Sequence, residues 1–245
     1  GHVGLPRLEQ HREGDHHPGA RVRGFHLLQF LHPLQRIGGD AEVAARCVPA
    51  ESVCGDFYTF NRFGRGRVGV MLGDVSSHGF GAALVMAMVI AAAGIHSGGS
   101  ATPDETLERL LDSIEGDLAS TEMFLTVFYG VLDPVAGTLA FANAGHPLPS
   151  LKLPGGGAEE LRATGMPFGW MADATYDTVV RHLPEGAVVV IASDGVIEAR
   201  DTGGEFWGTA RFNAAVAGAD GTEVIDRIIE ALRTQSVNFT TVERP

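Results

Sequence analysis

Asp74 and Asp194 each end an apolar segment and are followed by small or turn-forming residues, and Asp56 is a third candidate. Asp56 lies in CGDFY, Asp74 in MLGDVSSHG and Asp194 in IASDGV. A carboxylate at the point where a buried strand emerges is partly desolvated, so a cluster of three needs compensating positive charge. Ligands that are all oxygen favour Mg²⁺ or Mn²⁺ over Zn²⁺. Taken one at a time, the same aspartates also fit turn capping, which Asp-Gly often provides.

The segments around Asp56 and Asp74 have the pattern of strands. Residues 41–50 and 55–63 alternate in polarity and contain aromatic side chains, whereas residues 67–75 are a continuous apolar run. Such a run ended by Gly-Asp predicts a strand that is buried on both faces. A core helix is expected from about Gly79.

Later segments alternate between helical and hairpin signals. Thr102, Pro103 and Glu105 have the spacing of a capping box with proline at the first helical position, which predicts a helix over residues 102–118. Further elements are expected in this order: a hairpin over residues 124–145, a second hairpin from strands 176–183 and 187–194, helices at 209–217 and 222–233, and a last strand at 239–243.

The order of these elements predicts the fold class. Strands linked by hairpins favour antiparallel sheets faced by helices over a doubly wound parallel sheet. Two such sheets stacked between helix layers use every predicted element, so we expect an α+β fold with the four-layer order αββα. Residues 1–23 resemble a tag remnant or linker, and residues 24–245 are predicted to form one domain. Within that domain, residues 25–37 have near-helical apolar spacing that Pro33 interrupts, so this segment is interpreted as the tail of a longer helix.

Composition excludes several classes of function. The chain has 18 basic and 30 acidic residues, a formal net charge of −12, so binding of nucleic acid is not expected. Its single lysine, Lys152, rules out a P-loop. The apolar run at residues 82–95 is shorter than the roughly 20 residues of a membrane span. Cys47 and Cys54, without a secretory signal, fit reduced thiols and a cytoplasmic location.

Five segments in order resemble a known enzyme family. From about residue 40 to the C-terminus, the chain looks like a bacterial PPM (type 2C) protein serine/threonine phosphatase of the stage II sporulation E (SpoIIE) class. The resemblance implies an αββα sandwich, in agreement with the architecture derived above. The segments that carry it are PAESVCGDFYTF, VGVMLGDVSSHGFGAALVMAMV, MFLTVFYGVLDPVAGTLAFANAGHPLPSL, GMPFGW and VVVIASDGVIEARDTGGEFWG.

The resemblance also implies a metal site. Asp56 and Asp74 match metal ligands of the family, with Asp74 bridging two Mn²⁺ or Mg²⁺ ions and the carbonyl of Val75 completing one coordination shell. Asp194 matches the third carboxylate. In the family, a water molecule activated by the metals attacks the phosphorus of a phosphoserine or phosphothreonine.

Two histidines have alternative interpretations. His78 is a candidate proton donor to the leaving seryl or threonyl oxygen, or it caps the helix that follows. His146 is expected to shape its loop, with contact to substrate or to metal-bound water as the alternative.

The C-terminus departs from the family pattern. Aligning the family threonine with Thr240 places Val237 where the family has an aspartate ligand of the second metal, followed by Asn238. Valine cannot bind a metal, so we expect a weakened second site. Two hypotheses follow: a metal-dependent phosphatase, or a catalytically impaired pseudophosphatase that acts as a binding module in signalling.

The resemblance further implies partners. The usual substrate of the class is an anti-sigma-factor antagonist, a phosphorylated STAS-domain protein, in a partner-switching pathway. The apolar stripe at residues 25–37 suggests coupling to an upstream sensor or receiver domain, and it raises the hypothesis of a homodimer.

Overall fold

The computed structural model describes residues 23–27, 32–38, 41–46, 55–77, 80–98, 102–162, 165–171, 173–219 and 223–235. The strands are β1 (Arg23–Leu27), β2 (His32–Gly38), β3 (Ala41–Ala45), β4 (Asp56–Arg62), β5 (Val68–Val75), β6 (Leu125–Asp133), β7 (Thr138–Ala144), β8 (Ser150–Lys152), β9 (Ala158–Glu160), β10 (Val179–His182) and β11 (Val188–Ile191). The helices are α1 (Phe80–His96), α2 (Pro103–Thr121), α3 (Asp194–Ile197), α4 (Gly208–Ala217) and α5 (Glu223–Gln235).

The strands form two sheets. One has five strands in the order β10-β7-β6-β5-β4, and every neighbouring pair is antiparallel. The other has six strands in the order β2-β3-β1-β11-β8-β9. In the six-stranded sheet, β1 runs parallel to both of its neighbours, and the other pairs are antiparallel.

Three clusters of buried side chains define four layers. The first joins α1 and α2 to the five-stranded sheet, the second lies between the two sheets, and the third joins the six-stranded sheet to α3, α4 and α5. The predicted α+β class and the αββα order are therefore confirmed. The first cluster includes Val89, Leu110 and Met71, the second includes Val43, Phe128 and Val189, and the third includes Val190, Phe212 and Ile228.

Strand β5 is buried on both faces, as its apolar run predicts. Val70 and Leu72 belong to the cluster between the sheets, whereas Met71 and Val75 belong to the cluster under α1 and α2. Successive side chains of a strand point to opposite faces. The side chain of Asp74 therefore points to the same face of β5 as those of Val70 and Leu72, and this face is turned towards the other sheet.

Helix α2 begins and packs as predicted. The backbone N–H of Thr102 donates to Glu105 Oε2 at 3.4 Å, and Pro103 is the first helical residue. The Thr178 hydroxyl accepts from the backbone N–H of Asp104 at 3.0 Å, which ties the start of the helix to the segment before β10. The apolar face is buried through Leu107, Leu110, Leu111, Ile114 and Leu118.

Two predictions about elements are wrong. Residues 25–37 were expected to be helical, but they lie in β1, β2 and the segment between them, and β1 is an interior strand of the six-stranded sheet. Short apolar runs have similar patterns in helices and strands, and here strand pairing decides. The predicted hairpin of residues 176–194 is absent, because β10 pairs with β7 while β11 pairs with β1 and β8. The chain therefore passes from one sheet to the other at this point.

Other predictions fall outside the described residues. These include the strand at residues 239–243, all but the last residue of the predicted tag or linker at residues 1–23, and the two cysteines. Among the described helices, none is both long enough and apolar enough to cross a bilayer.

Candidate metal centre

Three carboxylates converge at one end of the sandwich. Asp56, Asp74 and Asp194 each offer an oxygen, and these oxygens all lie within 4.8 Å of one another. Asp56 and Asp74 are half-buried, and Asp194 is exposed. The structure thus brings together the three aspartates that the sequence indicated.

Strand register places Asp56 beside Asp74. Asp56 is the first residue of β4 and is the direct cross-strand partner of Asp74 near the end of β5. Directly opposed residues of antiparallel strands point to the same face, and like charges in that position repel each other. A bound cation removes this repulsion, so the arrangement favours binding of a positive ion.

Gly55 allows the backbone before β4 to lie against the cluster. A β-carbon at Gly55 would be 2.4 Å from the carbonyl oxygen of Val75 and 2.9 Å from Asp74 Oδ1, both closer than atoms can pack. The backbone N–H of Val75 donates to the carbonyl of Gly55 at 3.2 Å. Any side chain at position 55 would collide with these oxygen atoms, so the position requires glycine. The role of Gly55 was missed in the sequence, although glycine directly before the aspartate in GDFY was a visible signal.

Asp194 reaches the cluster from the other sheet. It is the first residue of α3, three residues beyond the end of β11. The hydroxyl of the buried Ser193 donates to Asp56 Oδ2 at 3.3 Å. This hydrogen bond orients one carboxylate and connects the two sheets at the site. Ser193 was not singled out in the sequence, because its contact depends on how the sheets stack.

The donor set fits a hard divalent cation. All three side chains supply carboxylate oxygen, which is the preferred ligand of Mg²⁺ and Mn²⁺. The Val75 carbonyl lies next to the Gly55 backbone at the end of β5, and its role as a further ligand stays a prediction.

His146 is fixed in a buried hydrogen-bond network beside the site. Its backbone N–H donates to Asn143 Oδ1 at 2.7 Å, and Asn143 Nδ2 donates to the His146 carbonyl at 3.0 Å. Its Nδ1 lies 3.0 Å from the hydroxyl of Thr126, the cross-strand partner of Asp74. Burial lowers the pKa of His146 to about 3, and the backbone of Ala192 acts in the opposite direction. The imidazole is therefore neutral at pH 7, which agrees with the predicted loop-shaping role.

Two other predicted site positions lie outside the described residues. His78 follows the described segment that ends at Ser77, and Val237 follows α5. Their roles stay predictions.

Comparison with known families identifies the chain. The sequence model of the family "Stage II sporulation protein E (SpoIIE)" matches residues 64–241, more than half of the chain. The chain belongs to the SpoIIE family. The matched region contains Asp74 and Asp194, whereas Asp56 precedes it. The family assigned from the sequence is thereby confirmed.

Two characterised relatives support this membership. Protein IcfG of Synechocystis sp. is 28% identical over 218 residues, which cover 75% of this chain and 33% of that protein. Phosphoserine phosphatase RsbU of Bacillus subtilis is 29% identical over 170 residues, which cover 66% of this chain and 48% of that protein. The chain therefore spans about a third to a half of the length of these relatives.

Solved structures share the fold. The SiaA-PP2C domain of Pseudomonas aeruginosa superimposes with a TM-score of 0.70 at 21% identity, covering 79% of each chain. The structure of the RsbU and RsbW domains of Rv1364c from Mycobacterium tuberculosis has a TM-score of 0.63 at 27% identity, covering 74% of this chain and 51% of that one. Both similarities agree with the four-layer sandwich.

Proposed function

We propose that this SpoIIE-family domain is a Mn²⁺- or Mg²⁺-dependent phosphatase that hydrolyses phosphoserine or phosphothreonine on a regulatory protein. The observation that carries the proposal is the convergence of Asp56, Asp74 and Asp194 from two sheets. The similarity to RsbU, a phosphoserine phosphatase, supports the same reaction. RsbX, which shares the fold with a TM-score of 0.59 at 13% identity, was crystallised in complex with magnesium.

Electrostatics require cations for this reaction. A phosphate monoester is anionic, and three carboxylates whose oxygens lie within 4.8 Å of one another would repel it. Bound divalent metals would neutralise the phosphate oxygens and lower the pKa of an attacking water molecule.

The protein's own contribution is to hold and orient the metal ligands. Asp56 and Asp74 are fixed by strand pairing, and Ser193 orients the Asp56 carboxylate. We assign His78, four residues beyond Asp74, as the group that protonates the leaving seryl or threonyl oxygen. With a pKa of about 3, His146 is too weak a base to carry that proton at neutral pH, so it is assigned to positioning.

The partner is proposed to be a phosphorylated STAS-domain protein. Two similarities support a partner-switching pathway: RsbU itself, and a structure in which RsbU and RsbW domains occur together. A neighbour described as part of the bacterial stressosome, with a TM-score of 0.54, has the same fold. We also propose that the domain is coupled to an upstream sensor or receiver domain, that it forms a homodimer and that it is located in the cytoplasm.

A direct assay tests the function. Hydrolysis of p-nitrophenyl phosphate should require Mn²⁺, and Asp74→Asn should lower kcat/KM at least about 100-fold because it removes a ligand charge. Asp133→Asn is the matched control. Asp133 Oδ1 accepts from the backbone N–H groups of Val135 and Ala136 in the turn at the opposite end of β6, so the rate should stay unchanged. Hydrolysis that is independent of Mn²⁺, or unaffected by Asp74→Asn, would contradict the assignment.

The second hypothesis, a pseudophosphatase, rests on Val237. A valine at the predicted ligand position removes one carboxylate from the second metal site, so we propose one tightly held metal and a weaker second one. Val237→Asp separates the hypotheses. A phosphatase with a weakened second site should turn over as the parent, and the variant should gain rate and bind a second Mn²⁺ more tightly, whereas a binding module disabled by Val237 should show no turnover as the parent.

A further inference from the structure

An exposed apolar pocket lies beside the metal centre. It has a volume of about 360 Å³ and is formed by the end of α2, the connection to β6 and the turn at residues 169–170. Leu118, Met123, Phe124 and Trp170 supply its apolar surface, and Glu122 supplies a carboxylate. None of these residues belongs to the carboxylate cluster.

The aromatic side chains of the pocket are unusually exposed. Trp170 is 62% exposed and Phe124 is 40% exposed, and their rings are 5.5 Å apart. Met171, next in the chain, is 57% exposed. Exposed tryptophan and phenylalanine grouped around a concavity are typical of protein-binding sites, in which a few large side chains supply most of the affinity.

The pocket is joined to the metal centre through Ser76. The backbone N–H of Ser76 donates to the carbonyl of Phe124 at 2.9 Å, and the backbone N–H of Phe124 donates to Ser76 Oγ at 2.9 Å. Ser76 is two residues beyond Asp74, and Thr126, the cross-strand partner of Asp74, is two residues beyond Phe124. Residues two apart in an extended chain are about 7 Å apart, so Phe124, at the rim of the pocket, lies about 7 Å along the chain from Thr126, the residue opposite Asp74.

We propose that this pocket binds a large apolar side chain of the phosphorylated protein while its phosphate occupies the metal centre. The proposal rests on the proposed phosphatase function. An extended chain advances about 3.3 Å per residue, so a residue three or four positions from the phosphoserine reaches the pocket. The occupant is apolar because the side chains of the lining are apolar except for that of Glu122, and Glu122 together with the net charge of −12 disfavours an acidic side chain. Trp170 and Phe124 are thus specificity residues rather than catalytic residues.

Matched phosphoserine peptides test the proposal. Each peptide carries leucine, or serine in the control, at one position three or four residues before or after the phosphoserine. With Mn²⁺ present, the parent domain should prefer leucine at one or more of these positions by about tenfold in kcat/KM. Trp170→Ala should remove this preference, and Phe124→Ala should reduce it. Both variants should hydrolyse p-nitrophenyl phosphate at the parent rate, because that ester does not extend to the pocket.

A control variant separates docking from a general effect of apolar surface. Val135 is 84% exposed in the turn after β6, at the end of that strand away from Phe124, and Val135→Ala should keep the leucine preference. Equal rates on all peptides, or a preference that persists in Trp170→Ala, would overturn the docking proposal while the phosphatase function stands. If the parent domain fails to hydrolyse p-nitrophenyl phosphate, the phosphatase function fails and the docking proposal falls with it.

Discussion

At the scale of single residues, Gly55 limits what the site tolerates. Gly55→Ala would place a methyl group 2.4 Å from the Val75 carbonyl oxygen, so the backbone before Asp56 must move away from Asp74. We expect a loss of about 1–3 kcal/mol in the free energy of unfolding and at least about tenfold weaker Mn²⁺ binding. Urea denaturation and calorimetric titration with Mn²⁺ measure the two effects.

Gly116→Ala is the matched control for that substitution. Gly116 lies inside α2 and is exposed, and a β-carbon there would meet no atom within 4 Å. Alanine is the better helix former, so this variant should gain about 0.5–1 kcal/mol and bind Mn²⁺ as the parent does. If both glycine variants bind Mn²⁺ equally well, the close approach at Gly55 has no part in the site.

Individual residues differ in how far the sequence reveals them. Asp74 and Asp194 could be predicted because each ends an apolar run, and Asp56 because its motif occurs with theirs in a known order. Ser193 could not be assigned a role, since its contact with Asp56 joins residues 137 positions apart on different sheets. The role of Gly55 likewise depends on a contact that exists only after β4 and β5 pair.

At the scale of elements, the loop between β7 and β8 gives the domain a dependence on pH. The pKa of His146 is about 3 in the folded chain, compared with 6.5 for an ordinary histidine. Between these values the unfolded chain takes up a proton that the folded chain does not. The stabilisation from neutral His146 is therefore complete above pH 6.5 and is lost as the pH falls towards 3, with a slope of at most about 1.4 kcal/mol per pH unit.

His146→Gln tests this dependence. The free energy of unfolding, measured by urea denaturation at several values between pH 4.5 and pH 7, should fall less steeply with acidification in the variant than in the parent. His182, exposed on β10, provides the matched control for replacing a histidine by glutamine, and His182→Gln should keep the slope of the parent. Parallel curves for the parent and His146→Gln would show that His146 does not cause the slope.

The elements themselves were predictable to different degrees. Helix α2 could be placed from its capping residues and its apolar face, and β5 from its uninterrupted apolar run. Strands β1 and β2 could not, because their apolar residues fit helical spacing and only pairing of β1 with β3 and β11 defines them. The false hairpin at residues 176–194 arose because a turn signal between two strands does not show whether the strands share a sheet.

At the scale of the whole molecule, the carboxylate cluster connects two sheets whose shared core consists of apolar side chains. Asp56 and Asp74 belong to the five-stranded sheet, and Asp194 follows a strand of the six-stranded sheet. A metal held by all three stabilises the folded state by binding that state alone. At a hundredfold excess over Kd this amounts to about 2.7 kcal/mol, which raises Tm by about 5–10 °C in a domain of this size.

Thermal denaturation with and without Mn²⁺ measures this effect. Asp194→Asn removes the ligand charge that comes from the second sheet, so its Tm should rise much less on addition of Mn²⁺. The control Asp133→Asn should show the full rise. A parent domain whose Tm is the same in Mn²⁺ and in EDTA would show that the cluster does not bind the metal.

The separation of the ligands along the chain also governs when the centre is assembled during synthesis. Asp194 leaves the ribosome more than a hundred residues after Asp74, and by then every strand of the five-stranded sheet has been made. Until β11 is inserted between β1 and β8, the nascent polypeptide carries two opposed carboxylates and lacks the third. The growing chain therefore assembles the complete three-carboxylate cluster only at a late step, when this interior strand of the second sheet takes its place.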